Sequence, residues 1–234
     1  MMKRTVFISG CPGSGKSFLG DYLETMCGFS HVDGDIFILS KESRHVELKN
    51  NLFEAHINYW IEKKSAPREL WQPYYQELFG LVEKAHEKNS NVVVSAVVLQ
   101  REVRDYLRAQ LPNHIFILLV VSENELVERR LRRLRAIAES QKKNMAQAYK
   151  DMFNDSYSDD TYLKRTQKVL QGLQPIENDE VLSFTIDAGT DEKYKSLHEA
   201  LQLPPPQPVI PVEDIASINY ERWKRAYFPI ECRA

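Results

Sequence analysis

The sequence predicts an α/β fold, and three observations carry that prediction. Short apolar runs alternate with segments of helical periodicity along most of the 234 residues. Asn91 to Val98 (NVVVSAVV) and His114 to Val121 (HIFILLVV) are almost continuously apolar, as strands covered on both faces of a parallel sheet are. Gly10-Cys11-Pro12-Gly13-Ser14-Gly15-Lys16-Ser17 fits the pattern G-x-x-x-x-G-K-[ST] at every fixed position. It lies between a strand-like run, Arg4 to Ser9, and a helical one, Phe18 to Cys27.

That order is what phosphate binding requires. Glycines let backbone N–H groups converge without a Cβ in the way. A following helix adds unpaired N–H groups and the positive end of its dipole. Lys16 is placed to reach the β- and γ-phosphates, and the Ser17 hydroxyl to hold Mg²⁺. The loop from Gly10 to Ser17, with Phe18 behind it, is therefore the candidate nucleotide site. A chance match in a glycine-rich turn is the alternative, and the flanking strand and helix count against it.

Phe29 to Val32 reads as a second short strand, ending in Asp33-Gly34-Asp35. Carboxylates at the C-terminal end of a strand in an open α/β sheet face the ligand crevice. Side chains two apart in a strand share a side. One carboxylate is a candidate Mg²⁺ partner, and the other a candidate to orient or deprotonate a substrate hydroxyl. A solvated D-G turn is the bland alternative.

Residues 36–88 read as mostly helical, with helices over Leu48 to Lys64 and Glu69 to Lys88 broken at Pro67. Aromatics and cations are dense there. Most would be core or solvated, but Arg44 and Arg68 have the fork suited to a carboxylate or phosphate. The segment is the candidate acceptor region. The strand from Asn91 passes Ser95-Ala96 without the acidic residue that many phosphate-loop enzymes place on Mg²⁺, so the metal role shifts to Ser17 and Asp33.

Arg101 to Gln110 reads as a helix. Ser122 reads as an N-cap with Glu125 completing a capping box. The helix after it carries Arg129, Arg130, Arg132, Arg133 and Arg135. Pairs Glu125–Arg129 and Glu128–Arg132 explain two of them as a solvated face. Arg130 and Arg133 are the candidates to close over ATP and the transferring phosphoryl group. Residues 136–173 read as a mobile lid. Val181 to Asp187 reads as the last strand, followed by Gly189, a candidate backbone contact for adenine, and by a closing helix from Asp191 to Leu201.

Five prolines between Pro204 and Pro211 cannot be helix. Residues 203–234 are thus a Pro-rich extension to a 1–202 domain, with an amphipathic helix expected over Val212 to Arg225. Its aromatics suit a partner, a homodimer being the simplest, or packing on its own domain.

The bulk numbers exclude several classes. With 31 basic and 33 acidic residues the net charge is −2. No basic field invites nucleic acid. Cys11, Cys27 and Cys232 make neither a disulfide framework nor a zinc set. No run has the length of a membrane span, and the expectation is a reduced, cytoplasmic protein.

Four stretches together resemble the small P-loop kinases of the gluconate kinase and shikimate kinase group, which belong with nucleoside monophosphate kinases. They are Gly10–Ser17; Asp33-Gly34-Asp35; Val94-Ser95-Ala96 with Arg104-Asp105; and Leu126–Arg133. The resemblance spans residues 3 to about 202. It implies a three-layer P-loop NTPase fold with a five-stranded parallel sheet in order 2-3-1-4-5 and a helical lid. It also implies ATP and Mg²⁺, with phosphoryl transfer to a hydroxyl of a small polar metabolite such as a sugar acid or polyol. By position it assigns Lys16 and Ser17 to phosphate and metal, Asp33 to metal, and Asp35, Ser95 and Arg104 to the acceptor side. The chain departs from the group after Asp35, where a His-Pro is replaced by Ile36-Phe37, between Ser95 and Arg104, and in a longer lid. All touch acceptor recognition. Two other functions fit the residues: a nucleoside or nucleoside monophosphate kinase, with the aromatics of 36–88 stacking a base, and an ATP-binding switch that signals to a partner.

Overall fold

The computed structural model describes residues 3–35, 43–60, 62, 64–111, 113–153 and 156–205. The elements run β1 (Arg4–Gly10), α1 (Lys16–Cys27), β2 (Ser30–Asp33), α2 (Ser43–Trp60), α3 (Arg68–His86), β3 (Asn91–Ser95), α4 (Arg101–Gln110), β4 (Ile115–Val120), α5 (Glu123–Ser140), α6 (Met145–Phe153), α7 (Asp159–Gln171), β5 (Ser183–Asp187) and α8 (Lys193–Ala200). The strands form one sheet in order β2-β3-β1-β4-β5. All four pairings are parallel. The fold is therefore the α/β fold expected, in the expected order.

Alternation along the strands divides the core in two. Phe7, Val32, Val92, Val94, Phe116 and Leu118 face α2, α3 and α4. Val6, Ile8, Val93, Ile117, Leu119 and Ile186 face α1 and α8. Two-sided burial is why β1, β3 and β4 are apolar at nearly every position. The edge strand β5 is not so covered, and Phe184 is exposed.

Boundaries differ where local chemistry intervenes. β3 stops at Ser95 rather than Val98, because the chain leaves the sheet there: Ser9 Oγ donates to the Val98 carbonyl at 2.9 Å and accepts from the Val98 N–H at 2.7 Å. α2 begins at Ser43, earlier than expected, and ends at Trp60. Ser122 Oγ caps α5 by accepting from the Glu125 N–H. Glu125 does not complete the box with its side chain; it pairs with Arg129. The helix expected at Val212 to Arg225, most of the Pro-rich segment, Ile36-Phe37 and Cys232 lie outside the described residues. Among the described residues, no helix is long and apolar enough to cross a membrane.

Arg104 is the main correction to the residue assignments. It was expected beside the acceptor, but it is fully buried in a structural hub. Its Nε and Nη2 donate to Glu180 at 2.7 Å each, Nη1 donates to the carbonyls of Leu99 and Gln174, and Nη2 also reaches Pro175. Those bonds occupy the whole guanidinium fork. Arg108 adds a second cation to Glu180. Burial would raise the Glu180 pKa, but these hydrogen bonds override it and hold the carboxyl down at about 2. A group depressed in the fold contributes stability above its unfolded pKa and loses it as pH falls toward the folded value.

Acid should therefore weaken the fold as pH drops from the ordinary carboxylate range toward about 2, and Glu180→Gln should flatten that part of a urea-unfolding pH series. Arg104→Met should cost about 3–5 kcal/mol in the same measurement, because it leaves the buried Glu180 with Arg108 as its one cation and several carbonyls without a donor.

Candidate functional site

The site is built on the turn from β1 into α1. Gly10, Gly13 and Gly15 have φ of 152°, 97° and 100°, the region that L side chains rarely adopt. A Cβ on Gly10 would lie 2.6 Å from Ser14 Oγ and 2.7 Å from the Leu119 carbonyl; one on Gly13 would lie 2.9 Å from Arg130 Cγ. The loop closes with the Ser14 N–H on the Cys11 carbonyl at 3.0 Å. Lys16 Nζ donates to the same carbonyl at 3.2 Å, so the lysine folds back over the loop. α1 has Gly15 as N-cap with no side-chain cap and no acidic residue in its first turn. Its N-terminal N–H groups thus point at a region made for an anion.

Two buried polar atoms support that reading. Among the described residues, Ser14 Oγ and Arg130 Nη1 have no hydrogen-bond partner. Leaving such groups unsatisfied costs about 1–3 kcal/mol each, which a ligand phosphate would recover. Arg130 is 8 % exposed, with its guanidinium 5.3 Å from the Tyr162 ring.

Lys16 sits among ionic neighbours. Burial lowers its pKa most; Asp35, Cys11 and Asp33 oppose that shift and Arg133 adds to it. The Asp35 pKa is raised, first by burial and then by Asp33, against Lys16 and Arg133. Lys16, Asp33, Asp35 and Arg133 therefore share one electrostatic site. Asp33 accepts from the Asp35 N–H at 3.0 Å. Gly34 is held from both sides, its N–H on the Ser95 carbonyl at 2.8 Å and its carbonyl on Tyr74 Oη at 3.1 Å. His56 joins the cleft from α2. Burial and then Lys16 push it down to about 4, so the ring is neutral near pH 7.

The other expected residues are elsewhere or otherwise engaged. Arg44 is exposed and paired with Glu77. Arg68 is exposed, over the rings of Tyr106 and Trp71 at 4.9 and 5.8 Å. Cys11 is buried, its thiol raised to about 11 chiefly by burial, and it is inert packing beneath the loop. Ser95 is buried beside Asp33, the two being register partners. The N–H of Gly189 is taken by Asp187 at 2.8 Å. The described residues of 136–173 form the end of α5, α6 and α7, with a core of Ile137, Ala148, Tyr149 and Tyr162 packed on Leu134. Val169 packs on Cys11.

Arg129, given only a surface pairing from sequence, ties the site together. It donates to the Ser14 carbonyl at 3.1 Å and the Ala188 carbonyl at 2.8 Å while paired with Glu125. A hollow of about 450 Å³ lined by Ser122, Asn124, Glu125, Glu128, Arg129 and Arg132 opens beside it. Periodicity cannot show such a bridge, since two of its partners are backbone carbonyls. Tyr74 and His56 were missed for a similar reason: an aromatic or histidine on an apolar helix face is ordinarily core.

A family model described as an AAA domain matches residues 6–151, more than half of the chain. The chain belongs to that family. The AAA domain match takes in the loop, both aspartates and α5. No curated protein matches the sequence. Among solved structures, the chain is similar to a sugar kinase from Janibacter sp. HTCC2649, at 17% identity and TM-score 0.54, covering 88% of this chain and 97% of that one. It is also similar to a gluconokinase from Sinorhizobium meliloti 1021, at 19% identity and TM-score 0.49, covering 96% and 98%. A shikimate kinase from Bacteroides thetaiotaomicron matches at 15% identity and TM-score 0.47, covering 86% and 95%. The Janibacter protein carries the likeness, which is one of fold: this AAA domain has the architecture of a P-loop kinase.

Gly13→Ala should weaken ATP binding about tenfold or more in equilibrium titration, with the far-UV spectrum unchanged. The strained φ and the collision with Arg130 are worth about 1–3 kcal/mol at the loop.

Proposed function

We propose that this AAA domain is an ATP-dependent phosphotransferase acting on a hydroxyl of a small polar metabolite, of the sugar-acid or polyol kind. The observation that carries the reading is the juxtaposition of an uncapped α1 N-terminus with a buried Lys16 and a carboxylate whose pKa is raised. A site that only held nucleotide would not need Asp35 there. A sugar kinase of the same fold agrees with it.

The triphosphate lies along the loop, its charge met by backbone N–H groups, Lys16, Arg130 and Arg133. Ser17 and Asp33 are the residues that would hold Mg²⁺, a hard cation suited to a hydroxyl and a carboxylate. When bound, the ion neutralises charge on the phosphate oxygens. Asp35 accepts the proton of the acceptor hydroxyl as its oxygen attacks the γ-phosphorus. The new O–P bond forms as the bond from phosphorus to the β,γ-bridging oxygen breaks, and ADP leaves. Positioning and electrostatics supply most of the acceleration in such transfers. Neutral His56 adds no charge and can accept or donate a hydrogen bond to the acceptor. The nucleotide alternative needs aromatics of 36–88 to stack a base and Arg44 or Arg68 to bind its phosphate, and the pairing of Arg44 with Glu77 and the stacking of Arg68 on Tyr106 do not favour the second of these.

Lys16→Ala should abolish ATP consumption in a screen of sugar acids, polyols, nucleosides and nucleoside monophosphates with Mg²⁺. Asp35→Asn should lower kcat about 10²–10⁴-fold, the usual range for a general base, while ATP affinity stays near wild type. Full turnover by Asp35→Asn would remove its assigned role. A panel without any acceptor, with ATP still bound, would turn attention to a switch-like function.

A further inference from the structure

Behind the site runs a buried chain of three side chains. Asp21 Oδ1 lies 2.8 Å from His31 Nδ1, and His31 Nε2 lies 2.9 Å from Ser95 Oγ. The side chains of Asp21 and His31 are fully buried and Ser95 is 1 % exposed. The chain joins α1, β2 and β3. It is packed hard: a Cβ on Gly20 of α1 would lie 2.3 Å from His31 Nε2. Its order is that of a hydrolytic Asp-His-Ser triad, but at 1 % exposure Ser95 gives a substrate's carbonyl carbon no approach to its oxygen.

The location gives it another use. Ser95 stands at the C-terminal end of β3, where the acidic residue common in phosphate-loop enzymes is missing. It pairs in register with Asp33, so the two side chains leave the sheet on the same face. His31 lies two residues before Asp33 on that face.

A carboxylate only accepts, so Nδ1–H of His31 donates to Asp21. When the ring is neutral, Nε2 carries a lone pair and the Ser95 hydroxyl donates to it. Its proton is thereby turned inward, and its oxygen lone pairs are left for a donor on the Asp33 side. Resting on the Mg²⁺–ATP reading above, we propose that Asp21 and His31 are positioning residues. They orient Ser95 as a hydrogen-bond acceptor for the metal-bound water beside Asp33. Asp21 thus supplies, through two hydrogen bonds, the negative character that an acidic residue at position 95 would bring directly. Partners of this kind are typically worth 10–100-fold in metal affinity.

The test uses the full chain with a non-hydrolysable ATP analogue and Mn²⁺ as the paramagnetic probe. Mn²⁺ affinity of the nucleotide complex is read by electron paramagnetic resonance, and analogue affinity is measured separately without metal. Ser95→Ala should weaken Mn²⁺ about tenfold and leave metal-free nucleotide affinity unchanged, whereas Ser95→Thr, which keeps the hydroxyl, should stay near wild type. Asp21→Asn should weaken Mn²⁺ in the same direction, and the double variant with Ser95→Ala should be no weaker than Ser95→Ala alone. Wild-type Mn²⁺ affinity in Ser95→Ala, or losses that multiply in the double variant, would overturn the relay. So would a ¹⁵N spectrum placing a proton on Nε2 of His31. If Asp21→Asn does not fold, the Ala and Thr pair decides alone. Failure of the wild-type chain to bind the nucleotide at all would instead overturn the function on which the relay rests.

Discussion

The structure depends on one constraint: a backbone turn that aims several N–H groups at a single point. Everything around it either makes the turn possible or answers the charge it attracts. Positive φ at Gly13 and Gly15 is needed to fold the loop, and Gly10 must lack a side chain because Leu119 of the neighbouring strand is in the way. β1 is central in the sheet, so the loop's base cannot shift without breaking ladders on both sides. An N-terminus with neither acid nor cap in its first turn leaves helix α1 short of partners in isolation. The cost falls on stability, and an anion offsets it only when bound.

A second organising interaction lies at the far edge. Glu180 gathers Arg104 and Arg108 from α4 and locks the stretch before β5 against that helix. Arg101 extends the network outward to Glu177 and Asp179. A carboxylate with two guanidinium partners in a dry interior is tolerated only when its hydrogen bonds are complete. That completeness is also what disqualifies Arg104 as a ligand for anything else. The same residue type thus does opposite work in this chain, and the difference lies in whether the fork is filled by protein.

How much of this was legible in the residues varies with the kind of interaction. The strand order is what the resemblance to P-loop kinases implies; the strands, the loop and the α5 cap follow from apolar periodicity and from backbone chemistry that only certain residues permit. They are local rules, and Lys16, Asp33 and Asp35 come together because the rules place them at strand ends on one side of a sheet. Arg44, Arg68 and Arg104 carried no such rule. A guanidinium's role is set by partners tens of residues away: Glu77 for Arg44, Tyr106 for Arg68, Glu180 for Arg104. His31 and Asp21 were invisible for the same reason, since neither spacing nor composition announces a bond from α1 across β2 to β3.

The arginines of α5 show how helical geometry divides a cluster that looks uniform in sequence. Arg129 and Arg133 are four apart and share a face. One is spent on the carbonyls of Ser14 and Ala188; the other acts on Lys16 and Asp35 one turn along. Arg130 is turned by about 100° toward α7, where Tyr162 covers it and one nitrogen is left over. Because Arg129 is bonded to the loop's own backbone, α5 cannot move without pulling on the phosphate turn. Because Arg130 is sandwiched between Gly13 and Tyr162, the α7 helix is held through the same side chain. A phosphate that satisfied Arg130 Nη1 and Ser14 Oγ would therefore touch the loop and the side chain that α7 covers at once. Nucleotide and α7 would then stabilise each other by contact with one buried guanidinium.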